Sequence, residues 1–397
     1  MAGMMAPGMV LKDHCRKGGY RIYSDPNERG VSVLRKVLAV SGIVLIVSTA
    51  VAADYKPLAP LKLTKCQVED GAESPPRVEV TLGGDKKAEN ARDSLVGGWD
   101  LAIPAGMDKV PEKAAHLVVT KNAKGELEGS LLWRWGSPEK VLSITVDGNR
   151  FSIVHPWSFR FEGVIDGDRM LGRAVSTDPR DSIGRVGDGI VGHRSPSVPN
   201  ASVKDAKFGE PIDLLGNGMS DWETLPGNGE NRWSFKGGVL SNRVKRNDKG
   251  EWAGGGLNLV TKRRDFTDFR LSYDVRVPKG ANSGVYLRGR YEIQTVDSYG
   301  KKPDPCSMGA YYGRVAPCAA AEKPAGVWQH VDVTLYKYHL TVVLNGVTII
   351  DNAPITGLTG GALDADEAKP GPIYVQGDHS DADYRNMVLR PVCSSGI

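Results

Sequence analysis

The chain reads as an all-β protein, a small antiparallel β-barrel followed by a β-sandwich. Short segments of alternating apolar and polar residues recur from about Ser94 to the C-terminus, and period-two alternation is the signature of strands with one buried face. Turn pairs such as Asp147-Gly148, Asp166-Gly167 and Asn345-Gly346 separate them, as in hairpin-connected sheets. No segment keeps helical periodicity over about 11 residues, so crossover helices are not expected. No solenoid-type repeat is evident.

The first element is a leader. Arg35-Lys36 precede an apolar run over 37–47 and the small-residue stretch Ser48-Thr49-Ala50-Val51-Ala52-Ala53. A basic region, a short apolar core and an A-x-A site predict a secretory signal peptide in 1–53, cleaved after Ala52 or Ala53. The run is shorter than the roughly 20 residues of a membrane span, so no stable span remains after cleavage. The expected location is the periplasm or the exterior of a bacterial cell. Residues 54–93 are polar and turn-rich and read as a lead-in.

The barrel is expected over 94–195. Its strands are predicted at 98–101, 116–120, 127–133, 141–146, 151–154, 159–163 and 170–173. Trp133, Trp135 and Trp157 read as core and rim aromatics, with a ligand mouth as the alternative. Residues 196–207, with prolines among polar residues, form the linker. The sandwich is expected over 208–392, with strands around 233–235, 239–240, 256–260, 268–277, 282–298, 328–336, 339–344, 347–350, 373–376 and 384–389. Asn345-Gly346 is the strongest local turn signal, a type I′ hairpin.

The 397-residue chain carries a formal charge of +4, but the leader alone holds seven Lys/Arg against three Asp/Glu, which leaves 44 of each sign beyond it. Without a basic stripe, nucleic acid is not an expected partner. Export places Cys66, Cys306, Cys318 and Cys393 in an oxidising compartment, where pairing Cys306 with Cys318 would pin one loop and Cys66 with Cys393 would tie the ends. There is no G-x-S-x-G elbow, HExxH helix, P-loop or Rossmann glycine fingerprint, so hydride, phosphoryl and zinc-hydrolase chemistry have no support. The acidic stretch Asp364-Ala365-Asp366-Glu367 lacks EF-hand spacing and reads as a solvated loop, with calcium as the alternative; no cofactor is expected.

The stretch 282–298 carries the most chemistry. Read as one strand, it puts Tyr286, Arg288, Arg290, Glu292 and Gln294 on one parity and Val285, Leu287, Tyr291 and Ile293 on the other. A polar face of that density suits either a ligand-facing sheet or cross-strand ion pairs.

Several motifs appear in order across 208–391: Ile212-Asp213-Leu214-Leu215-Gly216-Asn217-Gly218 with Trp222, Trp233 before Gly238-Val239-Leu240, and Asp268-Phe269-Arg270-Leu271. They continue with the 282–298 stretch, Trp328-Gln329-His330-Val331, Leu344-Asn345-Gly346, Gln376-Gly377-Asp378-His379 and Tyr384-Arg385-Asn386. This ordered set resembles the 3-keto-disaccharide hydrolase family. The resemblance implies a concanavalin-A-like β-sandwich (a jelly roll) related to glucanases, and an oligosaccharide or keto-sugar substrate. Gly97-x-Trp99 and the closing Gly192-His193-Arg194 resemble, weakly, those of lipocalin-like barrels.

Glu292-Ile293-Gln294-Thr295-Val296-Asp297 is similar to the Glu-x-Asp-x-x-Glu motif of jelly-roll glucanases, in which a β-bulge keeps the outer acids on one face. Gln294 replaces the middle acid, which departs from an ordinary retaining glycosidase. A 3-keto substrate offers another route: the ketone acidifies C2–H, a base removes that proton, the C1 oxygen is expelled, and water adds to the product. The expected catalytic residues are Glu292 as base or acid, Asp297 as its partner and His379 as the alternative proton carrier. The expected substrate-binding residues are Arg288, Arg290, Gln294, Tyr312, Gln376 and Arg385. The rival expectation is a non-catalytic carbohydrate-binding module on the same fold.

Overall fold

The computed structural model describes residues 91–104, 113–177, 187–227, 229–253 and 255–393. The expected leader and cleavage site, and Cys66, lie outside these residues. A five-residue helix α1 (Ala91–Leu95) leads into nine strands: β1 (Gly97–Ile103), β2 (Lys113–Lys121), β3 (Leu127–Leu132), β4 (Glu139–Lys140), β5 (Ser143–Asp147), β6 (Arg150–His155), β7 (Phe159–Asp166), β8 (Arg169–Ser176) and β9 (Gly187–Arg194). They form one antiparallel sheet in the order β4-β3-β2-β1-β9-β8-β7-β6-β5. Sequence neighbours are sheet neighbours, and β1 pairs with β9, so this is an up-and-down sheet. Its two ends are drawn together by backbone bonds from Val141 to Gly129 and from Leu142 to Val154. The expected strand over 141–146 therefore begins at Ser143, because Val141 and Leu142 serve as the seam.

Alternation explains the barrel core. In β6 and β7, Phe151, Ile153, Phe159 and Phe161 point inward and pack with Trp99, Leu117 and Trp133. Trp133 is 2% exposed and its ring lies 4.8 Å from Phe159, so it belongs to the core and not to a mouth. Trp99 Nε1 donates to the Leu95 carbonyl at 2.9 Å, and the Arg194 guanidinium lies 3.8 Å from the centre of its ring. These contacts join the two ends of the domain.

The second block contains β10 (Ile212–Asp213), β11 (Trp222–Thr224), β12 (Trp233–Lys236), β13 (Val239–Asn242), β14 (Leu259–Thr261), β15 (Phe269–Arg276), β16 (Asn282–Leu287) and β17 (Tyr291–Val296). After these come β18 (Gln329–Tyr336), β19 (His339–Leu344), β20 (Val347–Pro354), β21 (Tyr374–Val375) and β22 (Ala382–Pro391). One sheet runs β12-β13-β22-β15-β18-β19-β20, with β10 on β22; the other runs β11-β14-β21-β16-β17. The two inner faces share a core that includes Phe269, Leu271 and Val333 from the first sheet and Leu259, Val285, Ile293 and Val375 from the second. The described residues thus form the all-β barrel and sandwich that the alternation predicts, the sandwich being the jelly roll that the resemblance implies. Asn345 and Gly346 both take positive φ, +51° and +85°, as a type I′ turn requires.

The expected cysteine pairings do not form. Cys306 carries a disulfide, while Cys318 and Cys393 are free, exposed thiols. The Cys318 amide bonds to the Ile349 carbonyl at 2.8 Å and its thiol faces the Thr348 carbonyl, so the β20 strand holds it. Among the described residues no helix is long and apolar enough to cross a membrane.

The barrel touches the sandwich through glycines. Gly357 has φ +114°, and a β-carbon there would lie 2.1 Å from His116 Nε2. Gly360 packs against the Gly136 backbone, where a β-carbon would lie 2.4 Å from its carbonyl oxygen. Overpacking and backbone strain together set the expected cost: Gly357→Ala should lower stability by about 1–3 kcal/mol. Denaturant titration should show a smaller loss in the His116→Ala background, where only the backbone strain remains.

Candidate active site

The 282–298 stretch is a hairpin and not a single strand. β16 and β17 pair without a register shift, matching Tyr286 with Glu292 and Gly284 with Gln294. Arg288 and Gly289, at φ +53° and +68°, make the turn together with Arg290. Simple alternation fails across that turn, so the two arginines do not share a face with Glu292. The Arg288 guanidinium donates to the Glu367 and Lys369 carbonyls. Arg290 holds Asp364 through two bonds of 2.9 Å and donates to the Lys369 carbonyl at 3.0 Å. Both arginines therefore tie the 364–370 loop to the hairpin turn. They anchor the hairpin turn.

The unbroken register also removes the expected bulge. Asp297 lies one residue beyond β17, and its Oδ2 accepts the Gly280 amide at 2.9 Å. It caps a turn away from Glu292. Arg385 is likewise placed elsewhere. It sits on the other sheet, bonded to Asp274 at 3.1 Å and stacked 4.1 Å from the Trp328 ring centre.

What the hairpin does assemble is a polar row on the outer face of the five-stranded sheet. Pairing places Val260, Tyr374, Tyr286 and Glu292 side by side across β14, β21, β16 and β17. Tyr286 and Tyr374 stack with ring centres 4.1 Å apart. The Tyr286 hydroxyl lies 2.8 Å from both Glu292 Oε2 and the Gly360 carbonyl, and its single proton serves one of them at a time. Gly284 is required by this arrangement, since a β-carbon there would lie 2.2 Å from Glu292 Oε1. Gln294 sits beside Glu292 on the same face, its Oε1 taken by the Thr295 amide at 3.0 Å. The Gln376 amide bonds to the Gly284 carbonyl at 2.9 Å, and its buried side-chain Oε1 has no hydrogen-bond partner. Tyr312 closes one side, its amide donating to the Glu292 carbonyl at 3.1 Å.

The electrostatics separate two carboxyl groups. Glu292 is 3% exposed; burial pushes it up to about 8, although the Tyr286 hydrogen bond and the His379 charge pull the other way. It holds its proton at neutral pH. Asp378 lies below the ordinary carboxylate range: its burial is outweighed by the hydrogen bond and charge of His379, with Asn258 adding a further bond. His379 Nδ1 lies 2.6 Å from Asp378 Oδ1, and the imidazole side chain is 40% exposed. Burial lowers the imidazole, but Asp378 and then Glu292 outweigh it and leave His379 above its usual value. Burial and the Glu292 charge raise the Tyr312 phenol to about 12. Glu292, His379, Gln294, Gln376 and Tyr312 are thus brought together, and Arg288, Arg290, Asp297 and Arg385 are not. Sequence reading passed over Asp378, although it directly precedes His379, and gave Tyr286 no role, although it stood in the same polar row.

One further group could be read as a metal centre. Asp100, His116 and Glu367 are buried, with potential ligand atoms within 4.8 Å of one another. Arg314 Nη2 lies 3.2 Å from His116 Nδ1, and a guanidinium can only donate, so the ring proton belongs on Nε2. That nitrogen faces Ser195 Oγ at 3.1 Å, which in turn donates to Asp100 Oδ1 at 2.6 Å. The ring therefore offers a donor where a metal needs a lone pair. Burial and then Arg314 hold His116 well below its usual value, while burial and Glu367 push Asp100 up. The cluster is a neutral histidine and a proton-sharing carboxyl pair that joins the domains. Glu367 is accordingly buried, and the 364–367 segment is not the solvated loop its composition suggested.

The second block is a jelly roll that carries this polar row on the outer face of its five-stranded sheet. Residues 210–390 match the family model described as the 3-keto-alpha-glucoside-1,2-lyase-like domain. Among solved structures, a candidate glycosyl hydrolase from Parabacteroides distasonis is 27% identical, covers 46% of this chain and 84% of its own, and has a TM-score of 0.36. A carbohydrate-binding module from Bacillus subtilis is 10% identical over 42% of this chain and 93% of its own, with a TM-score of 0.28. A laminarinase from Flavobacterium is 12% identical over 47% of this chain and all of its own (100%), with a TM-score of 0.31. No curated protein matched the chain.

The raised Glu292 has a sign that can be measured. A carboxyl group held above its unfolded value stabilises the fold fully below that value, 4.5, and loses the contribution as pH climbs through about 8. Stability measured from pH 4 to 9 should therefore fall more steeply in the wild type than in Glu292→Gln. Tyr286→Phe removes a bond that favours the ionised form, so a carbon-13 titration should find Glu292 shifted upward.

Proposed function

We propose that the protein is an exported enzyme that cleaves 3-keto-glycosides by elimination followed by hydration. The observation that carries this reading is the proton-holding Glu292 beside the Asp378–His379 pair on one sheet face. A buried acid and a base tuned apart are what such a reaction requires. The match of residues 210–390 to a 3-keto-alpha-glucoside-1,2-lyase-like domain supports the substrate class. The signal-peptide pattern ahead of Ala53 supports export.

In this scheme neutral His379, oriented by Asp378, takes the C2 proton through Nε2. The C–H electron pair becomes the enolate of the 3-ketone. The enolate then expels the C1–O bond, and Glu292 gives its proton to the leaving oxygen. Water adds across the resulting C1–C2 double bond and releases the 3-keto sugar. Gln376 and Tyr312 offer hydrogen bonds to sugar oxygens.

The test is a panel of 3-keto disaccharides and their ordinary 3-hydroxy counterparts. Only the keto sugars should be cleaved, with a primary isotope effect when C2 carries deuterium. Glu292→Gln should lower kcat by about 10²–10⁴-fold. Activity should follow a bell-shaped pH profile. Its basic limb should fall near pH 8, as Glu292 loses its proton, and its acidic limb should lie above 6.5, where His379 gains one. Saturable binding of the keto sugars with no release would instead make the domain a carbohydrate-binding module.

A further inference from the structure

The family match begins only at residue 210, yet the loops that bracket Glu292 are covered by the N-terminal barrel. On one side, Ser137 hydrogen-bonds Tyr312, and a β-carbon at Gly313 would lie 2.8 Å from Ser137 Oγ. Across the top, the Gly361 amide donates to the Arg134 carbonyl at 2.8 Å and Gly360 packs on Gly136, directly above the Tyr286 hydroxyl. Tyr312 donates its amide to the Glu292 carbonyl at 3.1 Å and the Gly360 carbonyl meets the Tyr286 hydroxyl, so the barrel reaches the polar row from two directions.

The position of these contacts decides what the site can hold. β17 is the last strand of its sheet, and the 309–312 segment bonds along its free edge. A polysaccharide laid on the sheet face would cross the strands and leave past that edge. The 134–137 loop, seated on Tyr312-Gly313 and Gly360-Gly361, stands in that path. His379, 40% exposed, marks the open side.

We propose that the N-terminal barrel forms the closed end of the carbohydrate site. Ser137 fixes Tyr312 as a positioning residue. The site takes a short glycoside end-on and does not thread a polymer. The substrate class rests on the proposed function; the geometry does not.

The test therefore has two arms on the full-length protein. The first needs no substrate: the Tyr312 ring signals are compared by NMR in the wild type, Ser137→Ala and the surface control Lys140→Met, whose side chain is 77% exposed. They should shift in Ser137→Ala and stay unchanged in Lys140→Met. Unshifted Tyr312 signals in a folded Ser137→Ala overturn the proposal. The second arm compares 3-keto disaccharides with 3-keto tetrasaccharides. Turnover of the disaccharide should be at least about tenfold faster, Ser137→Ala should raise KM by about tenfold with kcat little changed, and Ser137→Thr should restore part of it. Equal rates on short and long chains overturn the closed end. Shifted Tyr312 signals with no keto-sugar cleavage overturn the substrate reading alone and leave the barrel in the site.

Discussion

The structure of the site depends on keeping one carboxyl group dry. Glu292 is almost fully enclosed, and a charge there would lose its hydration with only one hydroxyl in direct compensation. Retaining the proton resolves the conflict, and each neighbour serves that outcome. Gly284 leaves room for the carboxyl, Tyr286 orients it, and Thr359 Oγ1 accepts the Glu292 amide at 2.9 Å. The hairpin that carries Glu292 is in turn held by Arg288 and Arg290, whose guanidinium groups fasten its turn to the 364–370 loop. Charge placed at the turn thus supports a neutral acid on the strand.

Among the described residues, burial raises the carboxyl groups of Glu292 and Asp100 furthest, and their surroundings assign them different work. Glu292 stands near His379, an imidazole that solvent reaches, so a proton on either can be exchanged with a bound molecule. Asp100, His116 and Glu367 are each at most 3% exposed, and Ser195 bridges Asp100 and His116, away from the polar row. The first arrangement can do chemistry. The second holds together two domains, since Asp100 and His116 belong to the barrel and Glu367 and Arg314 to the sandwich.

Period two was enough to read the architecture, because nearly every strand has one face in a core and the other outside it. The Asn345-Gly346 turn was legible for the same reason, as only residues tolerant of positive φ fit it. The 282–298 stretch misled because its turn contains arginines instead of Asn-Gly or Asp-Gly, so nothing in composition marks it. Arg288 takes φ +53° with its guanidinium fixed by two distant carbonyls, a compensation that alternation cannot reveal. Glu292 survived the misreading because a hairpin with Tyr286 opposite Glu292 keeps them on one face, as a continuous strand also would. Asp297 did not, since its assignment needed a bulge. The expected pairing of Cys306 with Cys318 rested on an even cysteine count and sequence proximity, neither of which fixes a partner, and Cys318 is a free thiol while Cys306 is bonded elsewhere.

The contact between the domains is built into the sandwich itself. Three of its glycines, Gly313, Gly357 and Gly360, sit where a β-carbon would strike Ser137, His116 or Gly136 of the barrel. Two of them, Gly313 and Gly357, also take positive φ, so backbone conformation and space both favour glycine there. These residues lie in the two segments, 311–313 and 357–361, that also enclose Glu292. A substitution that pushed the barrel away would therefore move Tyr312 and the Gly360 carbonyl, the partners of Ser137 and Tyr286. Domain packing and the protonation of Glu292 are consequently coupled through the same few atoms.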